Sequence, residues 1–102
     1  LKFQELNAAV IHWAEARDII AHSKPQSQLL KSVSELGELC DAEIKHDLDG
    51  IIDGIGDVLV TLIIYAEMKG LLIEGCLESA YDAIKHRKGR LSPSGVFVKE
   101  EQ

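Results

Sequence analysis

The 102-residue chain has only two cysteines, two prolines and 5% aromatic residues, and cations are its minority charge. Cys40 and Cys76 are too few for a disulfide scaffold, which points to a reducing compartment. Two prolines and eight glycines leave long uninterrupted stretches, so long helices are allowed. Lys and Arg total 11 against 17 Asp and Glu, a formal charge of −6, which disfavours a protein that coats nucleic acid. No apolar run reaches the roughly 18 residues of a membrane span. The start, Leu1-Lys2-Phe3-Gln4-Glu5, has no apolar signal core. It also lacks Met, which leaves room for residues upstream. With 46% hydrophobic residues, we expect one folded domain over residues 1–102, soluble and cytoplasmic, engaging neither membrane nor nucleic acid.

Apolar spacing divides the chain into four predicted helices and shows no internal repeat. The first spans residues 3–22, with Phe3, Leu6, Val10, Trp13 and Ile20 at helical intervals. Pro25 lies in a break, and Ser27 can cap the second helix, 28–46. Leu29, Val33, Leu36, Cys40 and Ile44 form the apolar stripe of that helix, so Cys40 reads as core. Asp49 is a candidate cap for the third helix, 51–69, which Gly70 stops. A fourth helix over 73–88 ends at Gly89. A turn at Ser92-Pro93-Ser94-Gly95 follows, then an extended piece at Val96-Phe97-Val98. Short connections between such helices predict an all-α, four-helix up-down bundle with a short extended C-terminal tail.

The third helix is apolar around almost its whole circumference, from Ile51 and Ile52 through Val58, Leu59 and Val60 to Ile63 and Ile64. A helix of that kind is buried all round, which about 100 residues cannot achieve for one of their own helices. A homo-oligomer, dimer or tetramer, is therefore expected. Asp53, Asp57 and Thr61 form its one polar strip, each four residues from the next. Buried carboxylates one turn apart need protons, cations or a metal; an edge facing water is the plainer explanation. Gly54 and Gly56 beside them cost about 1 kcal/mol each relative to Ala, which suggests a need for room.

Glu35 and Glu38 share a face of the second helix, opposite its apolar stripe and together with Lys31. Alone they read as a solvated surface. The short turn at Asp47-Leu48-Asp49-Gly50 makes the second and third helices antiparallel neighbours. Counting outward from Leu48 sets Glu38 level with Asp57, with Glu35 and Asp53 about one turn away on opposite sides. Four carboxylates in an elongated cluster suit Mg²⁺, or Mn²⁺, better than zinc, and such a site takes water and substrate phosphates as its other ligands.

Ser34-Glu35-Leu36-Gly37-Glu38-Leu39 followed by Asp53-Gly54-Ile55-Gly56-Asp57-Val58-Leu59 resembles the MazG-like, all-α nucleoside triphosphate pyrophosphohydrolases. Gln28 and Lys31 upstream, Tyr81-Asp82-Ala83-Ile84-Lys85-His86-Arg87-Lys88-Gly89 downstream, and the ending Gly95-Val96-Phe97-Val98-Lys99-Glu100 extend the resemblance over nearly the whole chain. The ending is similar to that of compact phage and integron-cassette members. The family carries Glu-x-x-Glu on one helix and Glu-x-x-Asp on the next. Its second Glu would stand at position 54, where this chain has Gly54, and Asp53 is the substitute acid. The resemblance implies cleavage between the α- and β-phosphates of a (deoxy)nucleoside triphosphate, giving monophosphate and pyrophosphate, in nucleotide-pool housecleaning. Glu35, Glu38, Asp53 and Asp57 are then the metal set, and Glu35 or Glu38 accepts the proton of the attacking water.

Residues 85–90, Lys-His-Arg-Lys-Gly-Arg, hold 4 of the 11 cations and no acid; the 7 remaining cations against 17 acids leave −10 for the rest. Cations there suit a helix C-terminus by themselves. With the resemblance, Lys85, Arg87 and Lys88 are candidate phosphate ligands, reaching across an oligomer interface if the assembly brings them there. Lys31 reaches a phosphate or only pairs with Glu35. Trp13 stacks on a base or packs in the core. Asp82 contacts metal or sugar, or only pairs with Lys85 or His86. His12, His22, His46 and His86 show no metal-ligand spacing, and neither cysteine has the setting of a nucleophile. The alternative function is a non-catalytic helical oligomerisation or interaction module, in which the acids are surface charge.

Overall fold

A computed structural model describes residues 1–100. Its elements are α1 (Phe3–Ala16), α2 (Ile19–His22), α3 (Pro25–Ile44), α4 (Leu48–Met68) and α5 (Ile73–Ile84), then β1 (Gly89–Leu91) and β2 (Phe97–Lys99). The chain is mostly helical, as its periodicity predicts, with four corrections in detail. The first predicted helix breaks at Arg17 and Asp18, where Asp18 takes a left-handed φ of 60°. Pro25 does not lie in a break but opens α3, where a missing N–H costs nothing; Lys24, not Ser27, is the N-cap. Asp47, not Asp49, caps α4 by accepting a hydrogen bond from the Gly50 N–H at 3.1 Å. The fourth predicted helix ends at Ile84, and Gly89 belongs to a strand.

The α3–α4 turn is a helix stop followed at once by a helix start. Asp47 N–H donates to the Ala42 carbonyl at 2.9 Å and His46 N–H to the Glu43 carbonyl at 3.1 Å, while His46 is left-handed at φ 55°. That is a Schellman stop with His in the place glycine usually takes. Asp47 then caps α4 directly. Gly70 stops α4 by the same motif, with its own φ at 70°.

α4 is the hub of the fold, packing on α1, α2, α3 and α5. Its second half is the core: Thr61, Ile63, Ile64 and Ala66 are buried, joined by Ala14 of α1 and Ala42 of α3. Its first half is not surrounded, and Ile52, Ile55 and Leu59 stay exposed. α3 meets α4 with an unexpected face. Gln28 and Ala42 are buried and Ser32, Glu35 and Leu39 half-buried, at helical intervals of four and three residues. The predicted apolar stripe points away, leaving Val33 69% and Ile44 75% exposed, and Cys40 is exposed as well.

Small and polar residues let the two helices approach closely. A Cβ built on Gly54 would stand 3.0 Å from the Cβ and Cδ1 of Leu39, inside ordinary contact distance. One turn beyond Asp57, the Ser32 and Thr61 hydroxyls are hydrogen-bonded across the helix pair. Each hydroxyl also faces a carbonyl of its own helix, Thr61 Oγ1 that of Val58 at 2.7 Å and Ser32 Oγ that of Gln28 at 3.1 Å, so either can be the donor across the seam.

β1 and β2 form an antiparallel hairpin, with Gly89 opposite Lys99, Arg90 opposite Val98 and Leu91 opposite Phe97. A side chain at Gly89 would collide with the Val98 carbonyl and the Phe97 ring, so only glycine permits this pairing. The backbone of the hairpin lies against no helix among the described residues.

Candidate functional site

The polar seam between α3 and α4 opens into a cleft of ≈ 410 Å³ near the turn. Glu38, Asp41, Ala42 and Lys45 line it from α3 and its C-cap; Gly50, Asp53, Gly54 and Asp57 line it from α4, and Asp47 from the turn. Three of the four sequence-derived acids thus share one cavity. The fourth, Glu35, is half-buried one turn further along α3. Partial burial raises its carboxyl pKa above the ordinary value, and the negative charges of Glu38 and Asp57 raise it further. A side-chain hydrogen bond with Glu38 acts in the same direction, against the opposing pull of Lys31. The acids therefore form a continuous row rather than a compact ring.

That arrangement suits an ion that keeps part of its own hydration. Among the described residues no group of three or more His, Cys, Asp or Glu side chains is already gathered into a cage. The donors are carboxylate oxygens along an open cleft, the chemistry of Mg²⁺ or Mn²⁺ completed by water and phosphate.

The remaining candidates lie elsewhere on the chain. Lys31 is exposed on α3, one turn from Glu35. Trp13 is 45% exposed rather than core, and the Arg17 guanidinium covers one face of its ring at 4.5 Å from the centroid. The Lys85 ammonium pairs with the Asp82 carboxylate at 3.1 Å, one turn apart. Arg87 and Lys88 are exposed between α5 and the hairpin. Neither they nor Lys85 line the acidic cleft.

Sequence reasoning missed Asp41, Lys45 and Asp47 in the acidic cleft. Asp41 and Lys45 stand three and seven residues beyond Glu38, so helical spacing from Glu38 would have found both. It also missed a second cleft, of ≈ 440 Å³, lined by Lys88, Gly89, Arg90, Val98, Lys99 and Glu100. The strand pairing that brings Lys99 beside Gly89 creates it.

No family model matches the chain. A 64-residue stretch, 63% of the chain, is 41% identical to an uncharacterised 18.2 kDa protein from the rep–hol intergenic region of Haemophilus phage HP1. The match spans 39% of that protein, so the chain covers well under half of its relative's length. Among solved structures, a cyanophage S-2L MazG-like pyrophosphohydrolase, bound to dGDP and three catalytic Mn²⁺ ions per active site, superimposes with a TM-score of 0.71. The alignment covers 99% of both chains at 20% identity. The fold is MazG-like. On this fold the acids lie on the central helix pair, and Leu39 crowds position 54, where a Cβ would stand 3.0 Å from its Cβ and Cδ1.

Proposed function

We propose that the chain hydrolyses (deoxy)nucleoside triphosphates to the monophosphate and pyrophosphate, using a divalent metal, Mg²⁺ or Mn²⁺. Glu35, Glu38, Asp53 and Asp57 would hold it. One observation carries this reading: the row of carboxylates across α3 and α4, in a chain sharing the fold of a pyrophosphohydrolase that is bound to dGDP and Mn²⁺. When bound, the ion neutralises the polyphosphate, polarises the α-phosphate and lowers the pKa of the attacking water. Glu35 is the acid poised to receive that water's proton, because burial and its neighbours raise its proton affinity. Glu38, one turn along α3 and lining the cleft, is the other carboxylate that could accept it. Lys31 and Lys45, at opposite ends of the acidic row, would orient phosphate oxygens; Lys85, Arg87 and Lys88 lie outside this cleft and would reach phosphate only across an oligomer interface. Asp82 holds Lys85 in place through their ion pair. Trp13 offers the ring face not covered by Arg17 to a base. Removing unwanted nucleotides from the cellular pool is the physiological sense of such a reaction.

The test is pyrophosphate release from a panel of dNTPs and NTPs, with Mg²⁺, with Mn²⁺ and with EDTA. Metal-dependent release with the monophosphate as co-product is expected. Asp57→Asn should lower kcat/KM at least about 100-fold, since outer-shell partners of metal ligands alone are worth 10–100-fold. A folded protein that releases no pyrophosphate from any triphosphate overturns the reading.

A further inference from the structure

The seam between α3 and α4 is closed on both sides of the level shared by Glu35 and Asp57. Towards the turn the closure is steric: a Cβ added at Gly50 or Gly54 would stand 3.0 Å from the Cβ of Ala42 or of Leu39. Away from the turn it is polar: the Ser32 and Thr61 hydroxyls are hydrogen-bonded across the helix pair. Glu35 stands four residues before Leu39 and three after Ser32, while Asp57 stands three after Gly54 and four before Thr61. Each carboxylate therefore sits one turn from either closure. The charge of Asp57 acts on Glu35, and like charges on facing helices push the helices apart. A steric contact such as Leu39 on Gly54 resists approach and does nothing against separation. A hydrogen bond resists separation too, because it is lost beyond about 3.5 Å. Thr61 is 2% exposed and stands beside the apolar core of α4, where valine would have the same shape and no polar group to bury. Its hydroxyl is not there to rescue a stranded partner, since Ser32 Oγ already has the Gln28 carbonyl at 3.1 Å.

We infer that Ser32 and Thr61 are positioning residues: their hydroxyl pair fixes the separation of α3 and α4 at the level of Glu35 and Asp57, and with it the spacing at which those carboxylates hold a divalent ion. This rests on the proposed metal-dependent hydrolysis. Neither hydroxyl is a metal ligand; each acts through the carboxylate one turn away on its own helix. Metal–ligand distances tolerate about 0.2 Å, so a seam that relaxes by a few tenths of an ångström weakens the hold on the ion. The fold, by contrast, loses little when the pair is removed. Without Thr61 Oγ1 the Ser32 hydroxyl keeps the Gln28 carbonyl, and without Ser32 Oγ the Thr61 hydroxyl keeps the Val58 carbonyl at 2.7 Å. No buried polar group is stranded in either case. Metal affinity and stability should therefore part company in these variants.

The test is a titration of the full chain with Mn²⁺ alone, free Mn²⁺ being read by its electron paramagnetic resonance signal, alongside thermal unfolding without metal. Thr61→Val should bind Mn²⁺ about 10-fold more weakly than wild type, at the lower end of what outer-shell partners of metal ligands are worth. Its melting temperature should stay within about 4 °C of wild type. Ser32→Ala and the double variant should lose the same factor as Thr61→Val, because a single hydrogen bond is removed in all three. Thr61→Ser restores the hydroxyl and should return the affinity to within about 2-fold of wild type. Ile63→Val, buried on α4 but away from the seam, is the control for stability alone: it should melt lower and bind Mn²⁺ as wild type does. Wild-type affinity in Thr61→Val, a loss that Thr61→Ser does not recover, or an equal loss in Ile63→Val overturns the positioning role. The titration needs no turnover. A wild type that binds Mn²⁺ in the expected order of variants and hydrolyses no triphosphate would sink the proposed reaction and leave the positioning role standing. A wild type that hydrolyses triphosphates while Thr61→Val binds Mn²⁺ as tightly does the reverse.

Discussion

At the residue scale, Glu35 and Gly54 show what the site requires of single positions. Glu35 is held among Glu38, Asp57 and the helix seam, so its ionised form is disfavoured in the folded chain. A carboxyl whose folded pKa is raised binds protons more tightly when folded. Its contribution to stability is present below the unfolded value, near 4.5, and is lost as pH rises through the folded pKa. Metal-free Glu35→Gln should therefore melt at a higher temperature than wild type at pH 7, and the advantage should shrink towards pH 4. Added Mn²⁺ should raise the melting temperature of the wild type and leave that of the variant nearly unchanged. Thermal unfolding at the two pH values, with and without Mn²⁺, checks this; a variant less stable than wild type at pH 7 contradicts the electrostatic account. Gly54 explains the departure from the Glu-x-x-Asp pattern. A side chain there would press on the Cα, Cβ and Cδ1 of Leu39, so an acid at 54 requires α3 and α4 to give by a few tenths of an ångström, whereas Asp53 lines the cleft beside it without that shift.

At the scale of elements, the α3–α4 hairpin sets the spacing of the carboxylates, and its turn carries avoidable strain. His46 occupies a left-handed position at φ 55°, which costs a non-glycine residue about 1–2 kcal/mol. Glycine would relieve that cost at the expense of greater freedom in the unfolded chain. His46→Gly should thus gain about 0.5–1 kcal/mol in chemical denaturation, with no change in metal affinity by titration. The sequence made this hairpin legible because its signals are local: long apolar-rich runs, the Asp47–Gly50 turn and the glycine stop at Gly70. Counting from Leu48 also sets Glu38 level with Asp57, and both line the cleft. What the sequence hid depends on which neighbour a face meets. The stripe Leu29–Val33–Leu36–Cys40–Ile44 is as apolar as any core face, yet α3 turns its Gln28–Ser32–Glu35–Leu39–Ala42 face to α4. The wheel identifies a stripe and cannot say whether its cover comes from the same chain. The basic cleft was hidden for a related reason: it joins residues on either side of the turn after Leu91, a pairing fixed by the glycine at position 89.

At the scale of the whole molecule, this chain exposes more surface than a compact monomer of its mass. A folded monomer of 11.2 kDa exposes roughly 5,700 Å² by the usual scaling with mass. This chain exposes 8045 Å². Its radius of gyration, 16.3 Å, exceeds the roughly 13 Å of a compact domain of this length. The excess area matches what an obligate homo-oligomer buries, and the outward stripe of α3 is the right chemistry for it. Marginal stability sharpens the point, because the few buried apolar side chains, Ile63 and Ile64 with three alanines, are a small core to offset the ordering of about 100 residues. Sedimentation at micromolar concentration should give twice or four times 11.2 kDa and no folded monomer. Val33→Glu, in the middle of the stripe and 69% exposed in the single chain, should shift the protein towards monomer and cut its helical circular dichroism together with its mass. A well-folded wild-type monomer, or a Val33→Glu variant that keeps the full mass, would mean that the stripe is not the seam. Loss of mass with helicity intact would show instead that the single chain is self-sufficient, and the small core would then need another source of stability.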